Sequence, residues 1–228
     1  MRLRKRVVLL SLVLLLTAGS IFAHDKGDLM LNIEPQTILS LPLIDRTADH
    51  EIGIYLDAAG IGLSFKLRPV YWFLDIFGVS AGIGYSVCFD SWNPEIGSQV
   101  WFTRGYINIP FGVNFSFGMF TFGAGASYNI LLHEVVKPDR YEERFDWFFL
   151  NNYAGWYLDI GFDTSGRAVA RDGFGVMFRL SGSFTNNLAG FSTGRNTSEK
   201  FLYRDISLSI VYLTSFQLAN LPIGSRKK

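Results

Sequence analysis

From Ile206 onward the chain keeps a strict two-residue rhythm: Ile206, Leu208, Ile210, Tyr212, Thr214 and Phe216 alternate with Asp205, Ser207, Ser209, Val211, Leu213 and Ser215. Successive side chains of a strand point to opposite faces, so one face of this segment is apolar and the other mostly small and polar. The same rule governs three upstream segments. Phe120, Phe122, Ala124, Ala126, Tyr128, Ile130 and Leu132 oppose Thr121, Gly123, Gly125, Ser127 and Asn129, while Trp156, Leu158, Ile160 and Phe162 oppose Gly155, Tyr157, Asp159 and Gly161. Phe174, Val176, Phe178, Leu180 and Phe184 oppose Gly175, Met177, Arg179, Ser181 and Ser183. A fourth set, Ile107 to Phe117 against Tyr106, Asn108, Gly112, Asn114 and Ser116, behaves alike.

A water-soluble barrel needs charges on its outer face. Here the polar face is Gly, Ser, Thr and Asn, and nearly all charges fall between strands. An apolar exterior around a polar interior is the requirement of a barrel that crosses lipid, where all backbone hydrogen bonds are made between strands. Eight strands are expected, at residues 28–38, 52–67, 71–89, 99–117, 119–133, 149–163, 173–186 and 201–216. The fold class is thus all-β: an eight-stranded antiparallel up-and-down transmembrane β-barrel, preceded by a cleavable signal peptide.

Arg2, Arg4, Lys5 and Arg6, the apolar run from Val7 to Leu16 and the small residues ending at Ala23 supply that signal, with residues 1–23 removed. The barrel is assigned to 24–216 and a basic tail to 217–228. Removing four of the 21 basic residues leaves 17 against 20 acidic, and no basic patch for nucleic acid is present. Although 49% of residues are hydrophobic, no later stretch approaches the roughly 18 uninterrupted apolar residues of a membrane helix. The single cysteine, Cys88, excludes an intramolecular disulfide and falls on a small-residue face as a filler.

Connections are expected at 39–51, a tight Arg68–Pro69 turn, 90–98, a turn at Gly118, 134–148, 164–172 and 187–200. Long external loops and short periplasmic turns would place 39–51, 90–98, 134–148 and 187–200 outside and both termini in the periplasm. A phase slip near Ala58–Gly60 suggests a bulge in the second strand. Trp72, Trp92, Trp101, Trp147 and Trp156, near strand ends, read as interfacial girdles.

By parity Glu34, Arg104, Asp159, Arg179 and Asp205 face the lumen, and a lumen just filled by side chains should pair opposite charges there. Catalysis has little to draw on. Only His24, His50 and His133 exist, and His133 beside Ser127 is the one arrangement that could pair a base with a hydroxyl. No metal-ligand spacing or nucleotide loop is present, so no catalytic, metal or cofactor site is assigned and no cofactor is expected.

The segment Tyr106-Ile107-Asn108-Ile109-Pro110, followed by Phe120-Thr121-Phe122-Gly123-Ala124-Gly125, resembles the PorT-like outer-membrane β-barrel family. Leu67-Arg68-Pro69 looks like that family's turn after the second strand. Asn108 stands where the family often has an acidic residue and Ala126 where it often has proline. The overall plan is similar to the eight-stranded OmpA and OmpX barrels. The export signal, the lipid-type alternation and the loop asymmetry lead to the expectation of bacterial outer-membrane localisation, contact with outer-membrane lipid and a non-enzymatic structural or surface-interaction role, with an extracellular ligand of the loops as partner. A narrow channel or transport accessory is the alternative, and a lipid-modifying enzyme ranks below it. The strand ending at Phe216 looks like the insertion signal read by the outer-membrane assembly machinery, although Gln217 to Lys228 follow it.

Overall fold

The computed structural model describes residues 24–46, 51–54, 59–95, 98–138, 145–165, 172–185, 188–193 and 201–221. The predicted signal (1–23), the loop cores and most of the tail lie outside these residues, as do His50 and the connection around 166–171. The described chain is entirely strand and turn: β1 (Asp28–Arg46), β2 (Glu51–Ile54), β3 (Gly60–Leu74), β4 (Phe77–Ala81), β5 (Ile83–Glu95), β6 (Ser98–Phe117), β7 (Phe120–Pro138), β8 (Phe145–Leu150), β9 (Tyr153–Asp163), β10 (Gly173–Ser183), β11 (Leu188–Thr193) and β12 (Phe201–Asn220). Among these residues no helix is long and apolar enough to cross a membrane.

All pairings are antiparallel, and following them from β1 through β3, β4 with β5, β6, β7, β9, β10 and β12 leads back to β1. The sheet is therefore closed, with eight spans and no free edge in the wall. The closing seam is long, from Asp28↔Asn220 to Arg46↔Phe201. It is reinforced at its end, where Gln217 Nε2 and Asn220 Nδ2 donate to Asp28 Oδ1 at 2.6 and 2.8 Å.

Alternation sets the two faces. Ile61, Leu63, Phe65, Phe111, Leu158, Ile160, Phe178, Leu208 and Tyr212 point outward and are exposed, while Ser64, Asn108, Asn114, Ser116, Asp159, Arg179 and Ser209 are buried inside. Tight turns lie at one end. Leu74 pairs with Phe77 across Asp75–Ile76, and Phe117 pairs with Phe120 across Gly118–Met119, where Gly118 takes φ 64°. A positive φ at the first central position suits a two-residue hairpin and favours glycine.

The expected turn at Arg68–Pro69 is corrected: β3 runs through both residues, and the turn falls at Asp75–Ile76. Proline is tolerated because the ladder breaks at that point. Leu67 pairs with Ile83 and Val70 with Ser80, so Arg68 and Pro69 face the interruption between β4 and β5. On the other side of the same interruption, Gly82 N donates to Pro110 O at 2.8 Å. Pro110 has no N–H to return, so two prolines flank one glycine where a span is split in two.

Several expected loops are also shorter than the sequence suggested. β1 continues to Arg46, β5 to Glu95 and β7 to Pro138, while β6 begins at Ser98. The strands thus run on at the end opposite the turns, where β8 and β11 form a separate two-stranded sheet. At the turn end β12 continues four residues past Phe216 to Asn220, so Phe216 is not the terminal residue of its strand.

Candidate functional site: a layered polar lumen

The lumen is filled in layers, because inward positions from different spans fall at matching heights. Nearest the termini lies an apolar plug. Met30, Val70 and Trp72 form one buried cluster, and Met177, Val211 and Leu213 another. His24 stacks on Trp72 with ring centroids 3.8 Å apart. Trp72, 4% exposed, is therefore a lumen residue rather than an interfacial one. Trp101 is exposed, whereas the side chains of Trp92 and Trp147 lie outside the described residues.

Above the plug sits an ionic layer contributed by β1, β3, β9 and β10. Glu34 bridges two guanidiniums, with Oε1 2.6 Å from Arg68 Nε and Oε2 3.1 Å from Arg179 Nη2. Arg179 in turn grips Asp159 through Nε at 2.6 Å and Nη2 at 2.8 Å. Arg68 Nη2 lies 3.6 Å from Asp159 Oδ2. All four side chains are at most 2% exposed. Bidentate, charge-assisted geometry of this kind offsets the desolvation of buried ions. Tyr157 completes the layer, with Arg179 4.9 Å and Arg68 5.9 Å from its ring centroid, a cation–π arrangement.

The Gly-x-Gly step of β7 has its reason here. A Cβ on Gly125 would strike Phe111 O and the Tyr157 hydroxyl, and one on Gly112 would strike that hydroxyl as well. The two glycines leave the space that the phenol occupies. Gly125→Val should destabilise the barrel by about 1–3 kcal/mol through overpacking, read as a lower urea midpoint. Tyr157→Phe should retain most of the stability, since only the hydroxyl's weak contact with Arg68, 3.5 Å, is lost.

Farther from the plug, Arg104 Nε pairs with Asp90 Oδ2 at 2.6 Å and Arg104 Nη2 donates to Ser40 Oγ at 3.0 Å. Between this pair and the ionic layer lies a polar cavity of about 70 Å³. Of the five charges assigned to the lumen from parity, the structure joins Glu34, Asp159 and Arg179 and sets Arg104 in a second group. Asp205 lies in β12 opposite Pro42, with its side chain outside the described residues.

Lys66, Arg68 and Asp90 are lumen charges beyond those five. Lys66 and Arg68 share the inward parity of Gly62 and Ser64, although Arg68 stands where a turn is expected. Asp90 continues the parity of Ser86 and Cys88 and is 0% exposed, one residue beyond the expected end of its strand. Continuing the alternation through Pro69 and Asp90 would have found both. Cys88 is buried in the cavity wall.

The pairing of His133 with Ser127 is also corrected. A register shift between Gly105 and Tyr106 pairs them with His133 and Leu131, skipping Leu132. This bulge reverses the parity beyond it. His133 is exposed beside Tyr85 on the outer face, Nδ1 to Oη 3.5 Å, whereas Ser127 lines the lumen cavity. Among the described residues no group of His, Cys, Asp and Glu could hold a metal ion.

No protein-family model and no curated protein matches the chain. Solved structures do resemble it. The outer membrane protein OprG from Pseudomonas aeruginosa is 13% identical, covers 86% of this chain and 98% of its own, and gives a TM-score of 0.51. Ail, the attachment invasion locus protein of Yersinia pestis, is 10% identical with 84% and 100% coverage and a TM-score of 0.39. The outer membrane protease OmpT from Escherichia coli is 10% identical with 86% and 99% coverage and a TM-score of 0.42. At such identities the likeness is one of fold, and it rests on OprG, whose TM-score exceeds 0.5. With its closed ring of eight antiparallel spans, apolar outside and polar within, the chain has the fold of an outer-membrane β-barrel.

Proposed function

We propose that this protein resides in the outer membrane of a two-membrane bacterium, with both termini periplasmic, as a non-enzymatic barrel that acts through the end opposite its termini. The carrying observation is the filled lumen. A side-chain plug and an ionic layer of Glu34, Arg68, Asp159 and Arg179 occupy the space a conducting path would need. With the exterior committed to lipid, the projecting strand ends and the connections at 139–144 and 194–200 are left for recognition, and loops on a rigid scaffold commonly carry that role. The PorT-like motifs at Tyr106–Pro110 and Phe120–Gly125 agree with this assignment, and Phe216 and the neighbouring outward residues of β12 are offered as the strand read by the assembly machinery. A lipid-modifying role through His133 is disfavoured, because His133 and Ser127 lie on opposite faces of the wall.

Protease added to intact cells should cut within 134–148 or 187–200; cuts that appear only after outer-membrane rupture would overturn the topology. The folded protein should be silent in planar bilayers. Conductance that changes on replacing Arg104 or Arg179 would establish the channel reading instead. Crosslinking from residues 139–144 on living cells should then capture the extracellular partner.

A further inference from the structure

The cavity between the ionic layer and the Arg104–Asp90 pair has an unusual electrostatic lining. Its walls include Lys66, Arg104 and Arg179 together with Ser40, Ser64, Ser86, Asn108, Asn129 and Tyr153, and no carboxylate among the described residues lines it. Arg104 is matched by Asp90. The ionic layer is matched only within itself, Arg68 and Arg179 against Glu34 and Asp159, and Lys66, beside it on the cavity wall within electrostatic reach of all four, brings a third basic side chain without a third carboxylate.

Three hydrogen-bond donors on this lining have no protein acceptor among the described residues. Lys66 makes no hydrogen bond or ion pair there. The Nη1 group of Arg179, a residue 2% exposed, and the Ser64 hydroxyl, on a residue 7% exposed, are buried without hydrogen-bond partners. Ser64 and Lys66 stand two apart on β3 and so share the inward face. Buried donors of native proteins are ordinarily satisfied by protein, water or an ion, and a surplus positive charge in a low-dielectric lumen favours an anion over water alone.

We propose that this cavity is a binding site for one small monovalent inorganic anion of halide size, held by Lys66, the free Nη1 of Arg179 and the Ser64 hydroxyl. A volume of about 70 Å³ admits a halide together with ordered water. The anion restores charge balance in the lumen and stabilises only the folded barrel, which alone assembles the three donors.

The test is thermal unfolding of the refolded full chain in detergent at constant ionic strength, in sodium bromide against sodium gluconate, with bromide-soaked crystals examined at the bromine absorption edge. The midpoint should rise with bromide concentration, and an anomalous peak should lie between Lys66 Nζ and Arg179 Nη1. Lys66→Met, which keeps the side chain's length and removes the charge, should lose the bromide-dependent shift. Should that variant fail to fold, Ser64→Ala, with a several-fold weaker bromide dependence, serves in its place. Equal midpoints in the two salts, or a cavity holding only water in bromide, would overturn the proposal. Stabilisation by sulfate equal to that by bromide would overturn the size assignment.

Discussion

Glu34→Gln is expected to be among the most damaging single substitutions in the barrel, costing about 3–5 kcal/mol. Glu34 is 0% exposed and bridges both guanidiniums, at 2.6 and 3.1 Å. Neutralising it leaves Lys66, Arg68 and Arg179 facing Asp159 alone. The amide is close in shape, so the loss reports charge rather than packing. Arg179→Met should cost less than Glu34→Gln, because two cations and two anions then remain. The double variant Glu34→Gln/Arg179→Met should be more stable than the sum of the single effects implies, since it returns the layer to its original charge surplus. Urea unfolding in lipid vesicles, followed by the gel shift between folded and unfolded forms, measures all three. Strict additivity would show that these residues do not act as one network.

Ile160→Arg carries the second large effect and has the opposite logic. Ile160 is 54% exposed and lies mid-strand in β9, between Phe122 of β7 and Phe178 of β10. In water such a change would be nearly neutral. On the lipid face of a barrel, arginine at the bilayer midplane costs about 2–4 kcal/mol, falling to about 0–1 kcal/mol near the interfaces. Phe120→Arg, outward but beside the Gly118–Met119 turn, should therefore be much milder. A strong loss at Ile160 with a weak one at Phe120, measured in vesicles, would locate the membrane belt. Equal, negligible effects at both sites would remove the lipid-facing assignment.

The two predictions draw on different levels of information. That Ile160 faces outward and Asp159 inward was legible in the alternation of a short segment, because the period-two geometry of a strand is local. The same local rule located the spans at Ser98–Phe117, Tyr153–Asp163, Gly173–Ser183 and Phe201–Asn220 with their ends within four residues. It failed where a local signal was ambiguous. Pro69 looks like a turn residue, and only the matching break in the neighbouring ladder at Gly82, with Pro110 on its far side, shows why a strand can pass through it. The turn signal at Pro69 masks Arg68, and with it half of the salt-bridge layer. The bulge that skips Leu132 likewise exists only as a mismatch between two strands, and it moved His133 to the outer face.

The sidedness of the wall, with apolar residues outward and Gly, Ser and Asn inward, and the number of crossings are written in the alternation of the chain. Those follow from side-chain alternation and the requirement that every backbone polar group in lipid be paired. Which inward charges meet depends instead on how the strands pair in the closed barrel. Glu34 and Arg179 are 145 residues apart in the chain, and their contact depends on the register of every intervening strand. Closure of the sheet brings them to one height, leaves one cation of that layer in surplus, and sets Lys66, Arg179 and Ser64 around a single cavity.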